Sequence, residues 1–344
     1  MNALRDIHAG WWVLLAVLLV FPFVASGFIT FQIMAYSMIL GLLALSVMWL
    51  AGYGGMISLA QVTAAGMAAY TLPILGENTQ SIWGLGWPWW LVVPIAIGVA
   101  ALFSTLVGAI AVRTEGIYTL MITLAIAVVA FYFARQNYAL FNGFNGFAGI
   151  RPPTIGVYWR DPVPFYYLVL LCAAGLFAAV AYVSRSTFGL TLQALRDNPR
   201  RMRALGYDVT AHRIFAFTIS GAIAGVAGVL LVWFNGRVSP GNIGIDIVID
   251  VLVVAVIGGL RHPIGPFVGA LAFVLLENFA IDLIDRERFN TAIGFAFLLI
   301  VFFSPDGLLG LWEKYAPKRT AGSKAKSEPT PRAASPDEPM GETT

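Results

Sequence analysis

Apolar runs of bilayer length recur along nearly the whole chain, and they leave few folds open to it. Ten candidates stand out, at 11–30, 33–50, 60–76, 89–112, 117–134, 163–184, 212–234, 246–260, 264–281 and 290–304. A hydrocarbon core of ~30 Å takes about 20 residues of helix. Backbone groups in lipid must find partners within their own segment, so the runs predict helices and not open strands. The third and eighth runs are short and bounded by glycine. Composition agrees: of 344 residues 59% are hydrophobic and 11% charged, against ~25% charged in a typical soluble domain. One soluble core cannot hide that much apolar surface. The expectation is an all-α polytopic membrane protein of about eight to ten transmembrane helices, some of them short or broken by glycine.

The charges are unevenly spread. Eleven fall in residues 313–344, including every lysine of the chain. That stretch is rich in Pro, Ser, Thr and Ala and has little to bury against its ordering entropy. Two parts are therefore expected, a membrane domain at 1–312 and a disordered tail at 313–344. With the N-terminus inside, fifteen of the 21 Lys and Arg residues fall on the inner side, the side cations favour. An even number of spans puts both termini in the cytoplasm. Arg5, the run Trp11–Val24 and Ala25-Ser26-Gly27 also resemble a cleavable signal peptide. The apolar character continues past Gly27, which favours an uncut first helix.

Several functions are disfavoured by what is missing. A net charge of +3 is too small to argue for nucleic acid. No Gly-rich loop ends in Lys-Ser or Lys-Thr, so this chain has no phosphate cradle of that kind and no ATP hydrolysis by that route. His8, His212 and His262 lie far apart, without metal-ligand spacing. No Ser, His and Asp cluster suggests a nucleophile. With the single cysteine, Cys172, an intrachain disulfide is impossible. The chain reads as a non-enzyme.

Two glycine-bounded segments look alike. Ala51-Gly52-Tyr53-Gly54-Gly55-Met56 leads into a Gly/Ala-rich helix, and so does Ala255-Val256-Ile257-Gly258-Gly259-Leu260 followed by Pro263, Gly265 and Pro266. Interrupted segments in matching positions of two halves point to a transport path. Tight turns between closely packed helices would use glycine in the same way. Both readings fit the residues.

The stretch 185–213 is the most informative polar one. Leu192, Leu195, Met202 and Leu205 have the spacing of helices with one apolar face. Asn198 or Asp197 before Pro199 suits a capped second helix, and Gly206 suits its end. The result is a rigid helical elbow between two spans, able to dock a cytoplasmic partner. An ordinary positive-inside loop would explain its charge but has no need of caps. Charges within or beside the spans are few: Arg113, Glu115, Asp246, Asp250, Glu277, Asp282 and Asp285. Asp246 and Asp250 are one helical turn apart, as an ion relay would require. The loop at 141–153 has Asn-Gly turns between phenylalanines, which would sit in the headgroup belt or meet a partner.

Taken together, these stretches resemble the LivM-type permeases of branched-chain amino acid ABC transporters. The likeness is carried by Gly52-Tyr53-Gly54-Gly55-Met56-Ile57-Ser58-Leu59-Ala60-Gln61 and by Arg113-Thr114-Glu115-Gly116-Ile117-Tyr118 with Thr123-Leu124-Ala125. It continues in Gly143-Phe144-Asn145-Gly146-Phe147, in Ala194-Leu195-Arg196-Asp197-Asn198 through Gly206, and in Gly258-Gly259-Leu260 to Pro266. Pro305-Asp306-Gly307-Leu308-Leu309-Gly310 closes the set, which spans about residues 40–310.

The resemblance implies a permease in a bacterial plasma (inner) membrane. Its partners would be a second related permease, two ATPase subunits, an extracytoplasmic solute-binding protein and the bilayer. No cofactor would bind this chain, since ATP would be used by the partner subunits. Arg196, Asp197, Asn198, Arg200, Arg201, Arg203 and Gly206 would couple to an ATPase. Arg200, Arg201 and Arg203 stand where the family usually has Ala and Glu. Gly54, Gly55, Ser58, Gln61, Tyr118, Thr123, Gly258, Gly259 and Pro263 would line the substrate path. Two rivals remain at this stage: a family member carrying urea, short amides or aromatic acids, and a stand-alone ion-coupled transporter using Asp246, Asp250 and Glu277.

Overall fold

In the computed structural model, the described residues are 9–77, 84–114, 116–150, 152–153, 161–280, 294 and 307–308. The expected tail lies outside them, as do Glu115, Asp282, Asp285, His8 and, apart from Gly294, the tenth apolar run. The remaining nine runs are helical. They form α1 (Ala9–Val24), α2 (Ile29–Tyr53), α3 (Gln61–Leu75), α4 (Trp89–Ala111), α5 (Ile117–Gln136), α7 (Pro162–Arg185), α10 (Val209–Asn235), α11 (Ile245–Gly258) and α12 (Gly265–Ala280). Between them stand three short helices, α6 (Tyr138–Phe141), α8 (Thr187–Asp197) and α9 (Pro199–Ala204). Helices α2, α4, α5, α7 and α10 are long and apolar enough to cross a bilayer. The chain is an all-α, multi-pass membrane protein.

The first two runs divide differently from the sequence expectation. The break falls at 25–26, not at 31–32, and helix runs unbroken from Gly27, with residues 29–53 as one rod. Both of its ends, Ile29–Ala35 and Trp49–Tyr53, are wound as π-helix. In α1, Pro22 cannot donate to the carbonyl four residues back. The hydroxyl of Tyr166 on α7 donates to that Leu18 carbonyl at 2.8 Å, and Tyr167 donates to Leu19 O at 2.7 Å. These two bonds hold α1 against α7.

Helices α2, α3, α4 and α10 form the centre, with α11 and α12 against α2. Small residues set the spacing. A Cβ at Gly221 or Gly225 of α10 would run into Ser104 or Ala100 of α4, and one at Gly228 would strike the Ala65 backbone of α3. Lipid gives no hydrophobic reason for helices to associate, so close backbone approach has to supply the contact. Polar bonds stitch the same seam. Ser104 donates to Phe217 O at 2.8 Å, Trp49 Nε1 to Ala216 O at 3.1 Å, and Ser220 to Ser46 O at 2.6 Å.

Successive helices alternate in direction, so the loops sort to two ends. At one end Ile150 N donates to Gly236 O, β1 (Phe147–Ala148) pairs antiparallel with β2 (Arg237–Val238), and Gly27 approaches Pro162. The other end carries the turn after α2, the elbow α8–α9 and the α11–α12 turn. Among the described residues that end holds Arg113, Arg185, Arg196, Arg200, Arg201, Arg203, Arg213 and Arg261. Only Arg135 and Arg237 of the described residues stand at the opposite one.

Candidate functional site

The elbow forms as capped helices. Ser186 caps α8 by accepting from Gly189 N at 3.4 Å. Asn198 caps α9, its Oδ1 accepting from Arg201 N at 3.0 Å, and Asp208 caps α10 through Ala211 N at 3.0 Å. Gly206 takes φ +88°. Around it Gly206 N donates to Arg203 O and Tyr207 N to Met202 O, the paired bonds of a glycine-terminated helix end. Leu195, Met202 and Val209 close into a small apolar core of the elbow's own. Leu205 departs from the expected apolar face and is 67% exposed, because it sits at the cap itself. Arg200, Arg201 and Arg203 point outward beside it and beside half-exposed Tyr207. His212 belongs to this packing: its ring stacks on Phe188 at 5.8 Å and its Nδ1 lies 2.8 Å from Asp208 O.

Arg196 behaves differently from its neighbours. Its Nη1 donates to the carbonyl of Gly52 at the end of α2, and its Nε pairs with Asp197 at 3.0 Å. The Gly55 backbone, at φ +67°, lies against the Arg196 side chain, where a Cβ would come within 2.5 Å of Cγ. Gly52 in turn presses on the Leu260 carbonyl of the α11–α12 turn. Tyr53 stacks edge-on against Trp49 and lies beside Ser184 of α7.

The segment from Gly54 to Ala60 crosses inward without helix, and its backbone still finds partners. Met56 N donates to Leu50 O at 3.0 Å, Leu59 N to the Thr123 hydroxyl at 3.2 Å, and Ala60 N to Ser58 at 3.4 Å. Non-helical backbone at membrane depth survives only where protein or a water-filled route surrounds it. Here Met56, Ser58, Leu59 and Ala60 are buried.

Of the residues expected on a path, Ser58, Gln61 and Thr123 come together. All three are fully buried, with Gln61 Nε2 at 3.5 Å from both Ser58 and Ser104. Among the described residues the Gln61 Oε1, the Thr63 hydroxyl and, farther along α3, the Tyr70 hydroxyl are buried without hydrogen-bond partners. Gly258, Gly259 and Pro263 are buried at the α11–α12 turn, where Gly258 abuts the Gly265 backbone and Gly307 abuts Gly259. Gly54 is buried and Gly55 exposed. Tyr118 stands apart on an outward stripe of α5 with Met121, Val129 and Tyr132. Ser104, Thr63 and Tyr70 were not singled out from the sequence. Polar side chains set in apolar runs, Ser104 beside Thr105 and Thr63 two residues after Gln61, would have marked both.

The carboxylates of the rival reading lie on α11 and α12. Asp246 is exposed, while Asp250 and Glu277 are half-buried and within electrostatic reach of each other and of Tyr36. In the outer loop Phe141 and Phe147 pack on Tyr70, so they serve the interior. Phe144 is exposed under the Arg135 guanidinium, 5.6 Å from the ring centroid.

Residues 29–303 match the protein-family model described as the permease component of branched-chain amino acid transport systems. A high-affinity branched-chain amino acid transport permease protein of Salmonella typhimurium, LivM, is 28% identical over 86% of this chain and 73% of its own length. A probable branched-chain amino acid transport permease of Methanocaldococcus jannaschii, LivH, is 31% identical over 43% of this chain and 41% of its own. The ribose import permease RbsC of Haemophilus influenzae is 22% identical over 70% of this chain and 75% of its own. No solved structure matches.

Proposed function

The chain belongs to the permease-component family of branched-chain amino acid transport systems, and from that premise we propose that it is a membrane subunit of an ATP-driven importer for branched-chain or related amino acids. The observation that carries this reading is the elbow Ser186–Asp208. Each of its helix N-termini is capped by a side chain, α9 closes on Gly206, and the elbow holds its own small core and exposes three arginines beside Leu205. A loop that merely held positive charge inside would not need such rigidity. A docking element would, because a flexible loop loses entropy on binding and transmits little displacement.

In this reading the partners are two ATPase subunits, a second related permease and an extracytoplasmic binding protein. The arginine-rich end faces the cytoplasm of a bacterial cell, as the excess of arginine favours. ATP binding and hydrolysis occur in the partners, and this chain binds no cofactor of its own. Their closure moves the elbow, and the two permeases rock to expose the path to each side in turn. Selection of the cargo rests mainly with the binding protein.

The test is purification of the tagged chain from its native membrane in mild detergent, with identification of what accompanies it and an ATPase assay. Two ATPase subunits and a second permease are the expected companions. Uptake of leucine in proteoliposomes that requires ATP and the binding protein would complete the case. An ATPase-free particle that transports alone would overturn it and move attention to Asp250 and Glu277. Binding of urea or an aromatic acid by the partner binding protein, in place of leucine, would keep the machine and change the cargo.

A further inference from the structure

We propose that Arg196 is an internal strut that transmits movement of the elbow to the end of α2, and does not itself grip the partner. This rests on the reading of the elbow as the ATPase-docking element. Three observations carry it. First, the Arg196 guanidinium, although its side chain is 41% exposed like the exposed Arg200, Arg201 and Arg203, donates to Gly52 O. Second, Asp197 holds the Arg196 Nε at 3.0 Å and so fixes the direction of the side chain. Third, Gly55 at φ +67° leaves room for the Arg196 stem, so the contact is steric as well as polar.

The position of this contact matters. The carbonyl it engages is in the last helical turn of α2, wound as π-helix, where Gly52 also bears on Leu260. Immediately beyond it the chain runs without helix to Ser58 and Gln61. A pull on α8 therefore reaches the non-helical crossing segment through a single charge-assisted hydrogen bond and a van der Waals contact. Such a bond to a backbone carbonyl is among the stronger directional contacts a side chain makes. Arg196 is thus a positioning residue. Asp197 is its orienting partner.

The test reads motion of the α2 end without needing a transported substrate. In a Cys172→Ala background, Ile57→Cys places a thiol at a site that is 39% exposed beside the break. Labelling by a maleimide is followed in native membranes with and without ATP plus orthovanadate, and the ATPase activity that co-purifies with each variant is measured in parallel. The expected result is an ATP-dependent change in labelling rate in the parent. In Arg196→Ala that change should shrink about tenfold, the scale of one charge-assisted hydrogen bond, while ATPase subunits and activity are retained. Arg196→Lys, which keeps one donor, should restore part of it.

An undiminished ATP response in Arg196→Ala would overturn the strut. So would loss of the ATPase subunits from that variant, since Arg196 would then be gripping the partner. If the parent retains its ATPase but ATP leaves labelling unchanged, the α2 end does not move and the strut fails while the importer reading stands. If the parent brings no ATPase with it, the importer reading fails first and the strut with it. Should Arg196→Ala not accumulate, Arg196→Lys decides alone, by a response reduced or unreduced with the ATPase in place.

Discussion

The two glycine-bounded turns meet at Gly52 and Leu260 but are held differently. The α11–α12 turn is closed mainly backbone on backbone, with one local side-chain bond, Ile264 N to His262 Nδ1 at 3.3 Å. Gly258 lies against Gly265 and Gly269, and Gly307 lies against Gly259. The α2 turn keeps one backbone bond, Met56 N to Leu50 O, and adds two long-range bonds from side chains, Arg196 to Gly52 O and the Thr123 hydroxyl to Leu59 N. Backbone contacts cannot yield without moving whole helices, whereas a side-chain bond can lengthen or re-form. Similar residues in the sequence thus build a fixed seam and a jointed one.

The largest expected effect tests the fixed seam. Gly258→Val puts a branched side chain into the Gly265 carbonyl and should cost about 3 kcal/mol or more. Loss of monodisperse protein in detergent extracts would register it, and a normally accumulating variant would show that the seam can open. Gly55→Ala should cost less, about 1–2 kcal/mol, for a non-glycine residue at positive φ, because the atom it meets is the flexible stem of Arg196. The protein should still fold, with a lowered melting temperature. If Gly55→Ala proved as damaging as Gly258→Val, the two turns would not differ as described.

A smaller effect is expected above the joint. Ser104→Ala removes the donor to Phe217 O and should lower stability by about 1 kcal/mol, measured as the midpoint of thermal unfolding of the purified protein. The smallest effect on the fold belongs to the outward arginines. Joint replacement of Arg200, Arg201 and Arg203 by Ala should shift stability by no more than about 0.5 kcal/mol. Retention of partner subunits should nonetheless weaken, most clearly at low salt, where the parent's charges are least screened. Unchanged retention at low salt would remove these residues from the docking surface.

Much of the fold was legible because its signals are long. Charge-free runs mark helices whatever their neighbours, and the elbow's caps at Asn198 and Gly206 are local chemistry readable from a few residues. The boundary at 25–26 was not legible, since π-winding at both ends of α2 leaves the hydropathy pattern unbroken. The bond from Arg196 to the Gly52 carbonyl was hidden too. Asp197 beside it is a partner the sequence could offer, but the Gly52 carbonyl comes from a segment 144 residues away in sequence. Leu205 misled because its spacing fits an apolar face while its position in the cap turns it outward. The gathering of Ser58, Gln61 and Thr123 depends on α5 crossing the non-helical segment, which no single run announces.

The stripe Gly221, Gly225 and Gly228 on α10 has a consequence of its own. Along that line the helix has no side chains, so its neighbours rest on bare backbone at three successive levels. Sliding α10 by one residue would bring Ala222, Val226 or Val229 to those levels, and each would collide. The stripe therefore acts as a key in a shaft: it fixes axial register among α3, α4 and α10 by shape alone. Any change of shape in this protein has to carry those three helices as one piece and find its freedom at their edges.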